Sequence, residues 1–325
     1  MTHIDPFALR ALLGPHARPC RRALTGESGV HLPPFIDHHV HRHLIAPSGF
    51  AAAGIAGIVD LGGDPVTLAH LAGDGIPRVA YAGAFITAPG GYPSGRAWAP
   101  PGTVREVSSA SSHPGVAGGA ATAIDEQVTF GASIIKITLH AGAAPFDLDT
   151  ARAIVGLAHE RGRPVVAHVE GDGMLRRALD AGVDVLAHTP FSGPAHGDEI
   201  RDAVDAGQAW ISTLDIHRDE PDTVSAASAN LAAFAAAGGR VLYGTDLGNG
   251  ELPVGINTCE LAALHAAGVR GEALIASLCD PWPFTEAPAG VATFIAGDAP
   301  ADLDDVPAWL GRACVVPEEE LVHDE

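Results

Sequence analysis

Six side chains able to hold a divalent cation, or to bridge two, recur at the ends of short apolar runs. The first run, FIDHHVHRH, places His39 and His41 two residues apart, so on an extended strand both point to one face, and Asp37 shares it. His41 and His43 make a second His-x-His frame, but His43 is expected beyond the strand end. Lys136 lies inside ASIIKITLH, His168 closes VVAH, His188 closes VLAH and Asp246 closes VLYGTD. Neutral imidazoles and carboxylates suit zinc and similar ions. An ammonium cannot ligate. A lysine amine that has reacted with carbon dioxide is a carbamate, a bidentate anion able to bridge two metals, and a guanidinium cannot make that change. Of the 19 basic residues only Lys136 is a lysine, in a chain otherwise rich in arginine. Each residue alone has a plainer reading. A strand-end histidine is commonly a hydrogen-bonded core residue, Asp246 after Gly-Thr suits a turn or cap, and a buried lysine can pair with a carboxylate. Their common placement, in order, on strands one, four, five, six and eight favours one site.

The elements that would position them read as alternating short apolar runs and longer helical patterns. Strands are expected over 35–39, 57–61, 78–85, 133–138, 164–168, 183–188, 209–213 and 240–246, with helical stretches such as 147–161, 171–181 and 223–237 between them. Continuous apolar runs separated by crossover helices indicate buried parallel strands. Eight such units in about 250 residues fit an α/β (β/α)₈ TIM barrel, in which the six residues converge on the C-terminal mouth. A doubly wound sheet is the alternative, but no GxGxxG loop is present. The barrel is expected over 33–288. Residues 1–32 and 289–325 stand outside it as small terminal segments, the second ending in the acidic PEEELVHDE. Residues 86–118 form a long Gly/Pro/Ser-rich connection after the third strand. A loop of that length is usually functional, and it should overhang the mouth.

Composition narrows the partners. The chain has 325 residues, 47% hydrophobic and 18% charged, with a formal net charge of −20. Such a charge argues against nucleic acid and anionic membrane as partners, since both demand a positive surface. Cys20, Cys259, Cys279 and Cys314 form no CxxC pair, which disfavours a disulfide scaffold or a cysteine zinc site. No apolar h-region opens the sequence and no stretch approaches 18 apolar residues, so a cytoplasmic protein without a membrane span is expected. The partner is a small-molecule substrate, with a homo-oligomer compatible.

The order Asp-x-His-x-His, Lys, His, His, Asp resembles the amidohydrolase superfamily, in the binuclear subgroup with a carboxylated lysine. AAGIAGIVDLGGDP and PRVAYAGAFITAPGGYPSG look like its second and third strand segments. GASIIKITLHAG, AHVEGDGMLRRALDAGVDVLAHTPF, WISTLDIHR and GRVLYGTDLG look like its fourth to eighth strands. The likeness spans roughly residues 33–280 and is greatest to imidazolonepropionase-like and prolidase-like members. It implies that His39, His41 and Asp246 hold a more buried metal and His168 and His188 a more exposed one, with N6-carboxylated Lys136 between them. Zinc is the expected metal, with manganese, cobalt or iron as alternatives. The resemblance also implies a metal-bridging hydroxide as nucleophile and Asp246 as general base, then acid. The chain departs from the family pattern at Pro34, at Thr189-Pro190 and at SLCDPW, and its terminal segments leave room only for a vestigial β-sandwich.

The resulting expectation is a hydrolase that cleaves a C–N bond in an amide, dipeptide-like or cyclic amide. A lactone or ester hydrolase would use the same site. A mononuclear deaminase is disfavoured by Lys136 and by Glu170, which follows His168 by two residues where a deaminase glutamate would follow by three. A non-catalytic barrel would have lost at least one ligand. His140, His217, Tyr92, Arg96 and Arg218 are the candidate substrate contacts: the histidines for a carbonyl oxygen, the arginines for a carboxylate.

Overall fold

The computed structural model describes residues 4–45, 48–71 and 75–323; residues 1–3, 324 and 325 of the expected terminal segments lie outside the described residues. Two parallel sheets form the centre. The larger runs, in order, Arg240–Leu242, Ala209–Ile211, Val185–Leu186, Val165–Glu170, Ile135–His140, Phe85–Thr87 and Val104–Glu106. The smaller runs Ile36–Val40, Gly57–Asp60 and Arg78–Tyr81. Backbone hydrogen bonds join them at both seams. The Ser133 N–H donates to the Tyr81 carbonyl at 3.1 Å, while those of His38 and His41 donate to the carbonyls of Tyr243 and Leu247 at 3.0 and 2.8 Å. Inward side chains from all eight expected strand regions meet in one buried cluster, including Ile36, Val59, Ala80, Ile134, Val166, Val185, Ala209 and Leu242. Burial on both faces explains why these strands read as unbroken apolar runs.

The helices cover the outer face. Leu148–Glu160 is representative. Asp147 caps it by accepting from the Thr150 N–H at 2.8 Å, and Ala151, Ile154, Val155 and Ala158 form its buried stripe. That spacing is the 3.6-residue signature of a helix packed on one side. Among the described residues no helix is long and apolar enough to cross a membrane.

The expected third strand is divided. Its first half pairs with Gly57–Asp60 and its second, Phe85–Thr87, with Ile135–His140. The break falls at Gly83, which has φ +76°. The buried Gln127 side chain fills the gap and accepts from the Ala84 N–H at 2.8 Å. A Cβ on Gly83 would stand 2.3 Å from Gln127 Oε1, so glycine is required there. The 86–118 connection is also more ordered than expected, since Val104–Glu106 pairs parallel with Phe85–Thr87.

The two termini supply a five-stranded antiparallel sheet, in order Cys314–Pro317, Val291–Ala296, Ser28–Leu32, Arg18–Arg22 and Leu321–Val322. It buries Cys20, Ala292, Phe294, Val316 and Leu321.

Candidate active site

Two of the nominated residues lie past the strands expected to carry them. The sixth and eighth strands end at Leu186 and Leu242, before His188 and Asp246. Leaving the ladder lets the backbone adopt conformations a strand forbids. Asp246 has φ +56° and Thr213, after the seventh strand, has φ +44°. Left-handed backbone at a non-glycine residue costs on the order of 1 kcal/mol and is held by its surroundings, typically at functional sites. Asp37 does part of that holding. Its Oδ1 accepts from the N–H groups of His39 (3.1 Å) and Thr245 (3.0 Å), and its Oδ2 from the Thr245 hydroxyl at 2.6 Å. Asp37 therefore ties the first strand to the segment bearing Asp246 and does not line the cavity.

His39, His41, Lys136, His168, His188 and Asp246 surround one cavity of about 570 Å³. Each is less than a tenth exposed. His39 Nε2 lies 3.1 Å and His41 Nε2 3.3 Å from Asp246 Oδ1, and the two nitrogens are 3.3 Å apart. Ligand atoms of His39, His188 and Asp246 fall within 4.8 Å of one another. The far nitrogens are fixed. His39 Nδ1 is 2.8 Å from the Ala187 carbonyl, His41 Nδ1 is 3.0 Å from the Gly62 carbonyl, and His188 Nδ1 is 2.9 Å from the Thr213 hydroxyl. A carbonyl only accepts, so Nδ1 of His39 and of His41 carries the proton and Nε2 turns a lone pair to the cavity.

Burial pushes the pKa of His39 and His188 well below the ordinary histidine value, so neither supplies a second proton. Asp246 Oδ1, fully buried, has no hydrogen-bond donor among the described residues. His39 Nε2 and Asp246 Oδ1 are then two acceptor atoms 3.1 Å apart, and they repel. A divalent cation removes the conflict, because ligands at about 2.1 Å in tetrahedral or octahedral geometry sit about 3.0–3.4 Å apart. The donor set fits a metal.

Lys136 is buried at 2% exposure. Desolvation pulls its amine from 10.5 down to about 7, against the attraction of Asp246 and Asp60. The free amine is thus well populated at neutral pH, which is the form that reacts with carbon dioxide. Asp60 accepts from the N–H groups of Arg42 and Gly62, and so aims the Gly62 carbonyl at His41.

His168 Nε2 lies 3.1 Å from Glu170 Oε2, and His140 Nε2 3.3 Å from Glu170 Oε1. His140 Nδ1 accepts from the Gly142 N–H at 3.0 Å, so its Nε2 is the donor to Glu170. The hydrogen bond from His168 holds the Glu170 carboxyl below its ordinary pKa. Glu170 thereby fixes the orientation of His168 and leaves Nδ1 as its free nitrogen. Sequence spacing had argued only that Glu170 is not a deaminase base.

The five candidate substrate contacts separate. Tyr92 and His217 line the cavity. Tyr92 stacks on His168 with centroids 4.7 Å apart, and His217 Nε2 is buried without a hydrogen-bond partner among the described residues. His140 sits behind Glu170. Arg218 is held outside by the Asp215 carboxylate and the Glu251 carbonyl. Arg96 is exposed, 5.8 Å from the Tyr92 ring centroid, facing a separate surface depression. Phe85, Trp98, Phe191, Ile216, Glu220 and Asn249 also line the wall and were not nominated. Trp98 lies in the 86–118 connection, so length was its one signal. Phe191 and Ile216 read like any core residue until the tertiary structure exposes them to a cavity.

No protein-family model and no curated protein matches this chain. Its fold is shared with solved hydrolases. A Xaa-Pro dipeptidase with methionine bound in its active site superposes with a TM-score of 0.68 at 18% identity, covering 90% of this chain and 87% of that one. A protein described as an amidohydrolase gives 0.64 at 19% identity, covering 91% and 87%. Molinate hydrolase gives 0.63 at 17% identity, covering 90% and 83%. What this likeness shows is a shared fold.

Proposed function

We propose that this chain is a binuclear metal-dependent hydrolase that cleaves a C–N bond. The observation that carries the proposal is the buried set of His39, His41 and Asp246, whose facing atoms lie 3.1–3.3 Å apart around one cavity. Lys136, His168 and His188 extend that set around the same cavity. The division into a closed (β/α)₈ barrel over 33–288 and terminal segments 1–32 and 289–325 belongs to the same reading. The seam hydrogen bonds and the shared inner cluster support closure.

In this reading His39, His41 and Asp246 would hold one metal ion, and His168 and His188 a second. Lys136 would add a carboxylate to this set once its neutral amine had added to carbon dioxide, forming one N–C bond, opening one C–O π bond and releasing one proton. The ions, zinc being the best match to the imidazole-rich set, supply Lewis acidity and an acidified water when bound. Asp246 would be the general base and then the general acid of such a hydrolysis. Its Oδ2 accepts from Asn249 Nδ2 at 2.9 Å, which keeps Oδ1 turned inward. His217 is the one imidazole of the wall free to donate to a substrate carbonyl oxygen. Tyr92 and Trp98 exclude water above the site.

The test is metal analysis of purified protein together with a panel of amides, dipeptides, cyclic imides and lactones. Carbon-13 NMR after incubation with labelled bicarbonate reads the carbamate directly. About two ions per chain, a carbamate resonance lost in Lys136→Met, and amide turnover are expected. Absence of bound metal after reconstitution overturns the proposal.

A further inference from the structure

Ile216 and His217 reach the cavity wall from one short 3₁₀ turn, Asp215–His217. A single turn of this kind has poor hydrogen-bond geometry and holds little by itself. The sheet lets go of the segment at Thr213, whose N–H donates to the Gly244 carbonyl at 3.1 Å. The cavity side offers His217 little in return. Its Nε2 is buried without a hydrogen-bond partner among the described residues, and its ring lies 4.5 Å from that of Phe191, centroid to centroid. A buried nitrogen left unpaired costs free energy, so the turn must be held from behind.

Asp215 is where it is held. Its N–H donates to Glu260 Oε2 at 2.7 Å, and its Oδ2 accepts from Asn257 Nδ2 at 2.8 Å and from Arg218 Nη1 at 3.0 Å. Asn257 and Glu260 both belong to the start of the helix Thr258–Ala266. Asn257 is its N-cap, accepting from the N–H groups of Cys259 and Glu260 at 2.9 and 3.3 Å. The Asn257 N–H in turn donates to the hydroxyl of Tyr243, just past the eighth strand, at 2.8 Å. Asp215, Tyr243, Asn257 and Glu260 are each less than a tenth exposed, and none lines the cavity. Apolar residues would pack a helix against a turn without the cost of burying two carboxyl groups. What the polar set adds is direction, since each hydrogen bond fixes an angle as well as a distance.

We infer that Asp215, gripped by Glu260 and Asn257, is the positioning residue that keeps His217 and Ile216 on the cavity wall. His217 then stays aimed at the substrate without a protein partner of its own. The inference rests on the amide-hydrolase reading for what His217 does there, and adds residues that act on it from outside the cavity.

The test is a double-mutant cycle on zinc-loaded protein, with 4-nitroacetanilide as the amide. A nitrogen–proton correlation spectrum of histidine-labelled protein gives a second readout, in which the His217 ring signals are those missing from His217→Ala. Asp215→Ala and Glu260→Ala should each move the His217 signals and lower kcat about tenfold. In the His217→Ala background the same substitutions should change kcat by less than about twofold, because the residue they act through is gone. Glu260→Gln keeps an acceptor oxygen and should retain the parent signals and kcat. If Glu260→Ala does not fold, Asp215→Ala carries the same comparison. His217 signals unmoved in Asp215→Ala, or a loss of equal size with and without His217, overturns the inference. If the zinc-loaded parent does not turn over the amide, that counts against the hydrolase reading, and the His217 signals decide the positioning: moved they support it, unmoved they end it.

Discussion

Lys136→Met should stabilise the metal-free protein while abolishing hydrolysis. The magnitude follows from burial. Desolvation draws the amine from 10.5 down to about 7. At 1.36 kcal/mol per tenfold change in proton affinity, keeping the ammonium in the folded state costs about 5 kcal/mol, and about 4 kcal/mol at pH 7, where half the population sheds its proton instead. The unfolded chain carries no such penalty. Because the folded value is depressed, the penalty is fully present below pH 7, shrinks as pH rises and vanishes above 10.5. Methionine has nearly the same length and no charge, so it removes the cost without opening a cavity. The assay is urea unfolding in chelator and carbonate-free buffer at pH 7 and pH 10. A gain of up to about 4 kcal/mol at pH 7, much reduced at pH 10, is expected. Lys136→Arg should go the other way, since a guanidinium cannot escape by losing its proton. A Lys136→Met protein less stable than the parent at pH 7, or a gain that ignores pH, would refute the reasoning. Such a costly side chain would be kept for chemistry that methionine cannot do.

Prolonged chelation should abolish hydrolysis, with zinc, manganese or cobalt restoring it; full activity in protein shown to be metal-free sinks the metal reading. Asp246→Asn keeps the shape of the side chain but cannot take a proton, so kcat should fall by about 10²–10⁴, and an unchanged kcat would rule out Asp246 as the base. Trp98→Ala should change the preference between aromatic and aliphatic amides more than it changes the melting temperature, because Trp98 is half-buried on the wall of the cavity. Glu260 is fully buried and accepts from the Asp215 N–H at 2.7 Å, and desolvation raises its pKa from 4.5 to about 7. Its raised value means that stability present below pH 4.5 is lost as pH climbs through 7. Glu260→Gln should therefore gain on the parent between pH 5 and pH 8, by at most about 3 kcal/mol in urea melts. A difference flat in pH contradicts the assignment.

The grouping of His39, His41, Lys136, His168, His188 and Asp246 around one cavity was legible because its signals are local. A two-residue repeat such as His39/His41 is a statement about one face of a strand, and a lone lysine within an apolar run is unusual by composition alone. Helix positions were legible for the same reason, since the stripe at Ala151, Ile154, Val155 and Ala158 is periodic in sequence. The tertiary structure decided what depends on groups far apart along the chain. Asp37 shares the face of His39 in sequence, yet it is spent on Thr245, 208 residues away. Glu170 was set aside on spacing to His168, and only the packing of neighbouring strands shows it holding that ring and His140 together. The third strand divides because Gln127 wedges into it from a helix, which no local pattern announces. Arg96 and Arg218 looked suited to a carboxylate because their charge is visible in sequence. Their direction is not, since an arginine side chain turns toward whichever partner the fold brings near it. The physical limit is that periodicity encodes which face a residue takes, while the partner across the cavity is set by how strands far apart in the chain pack together.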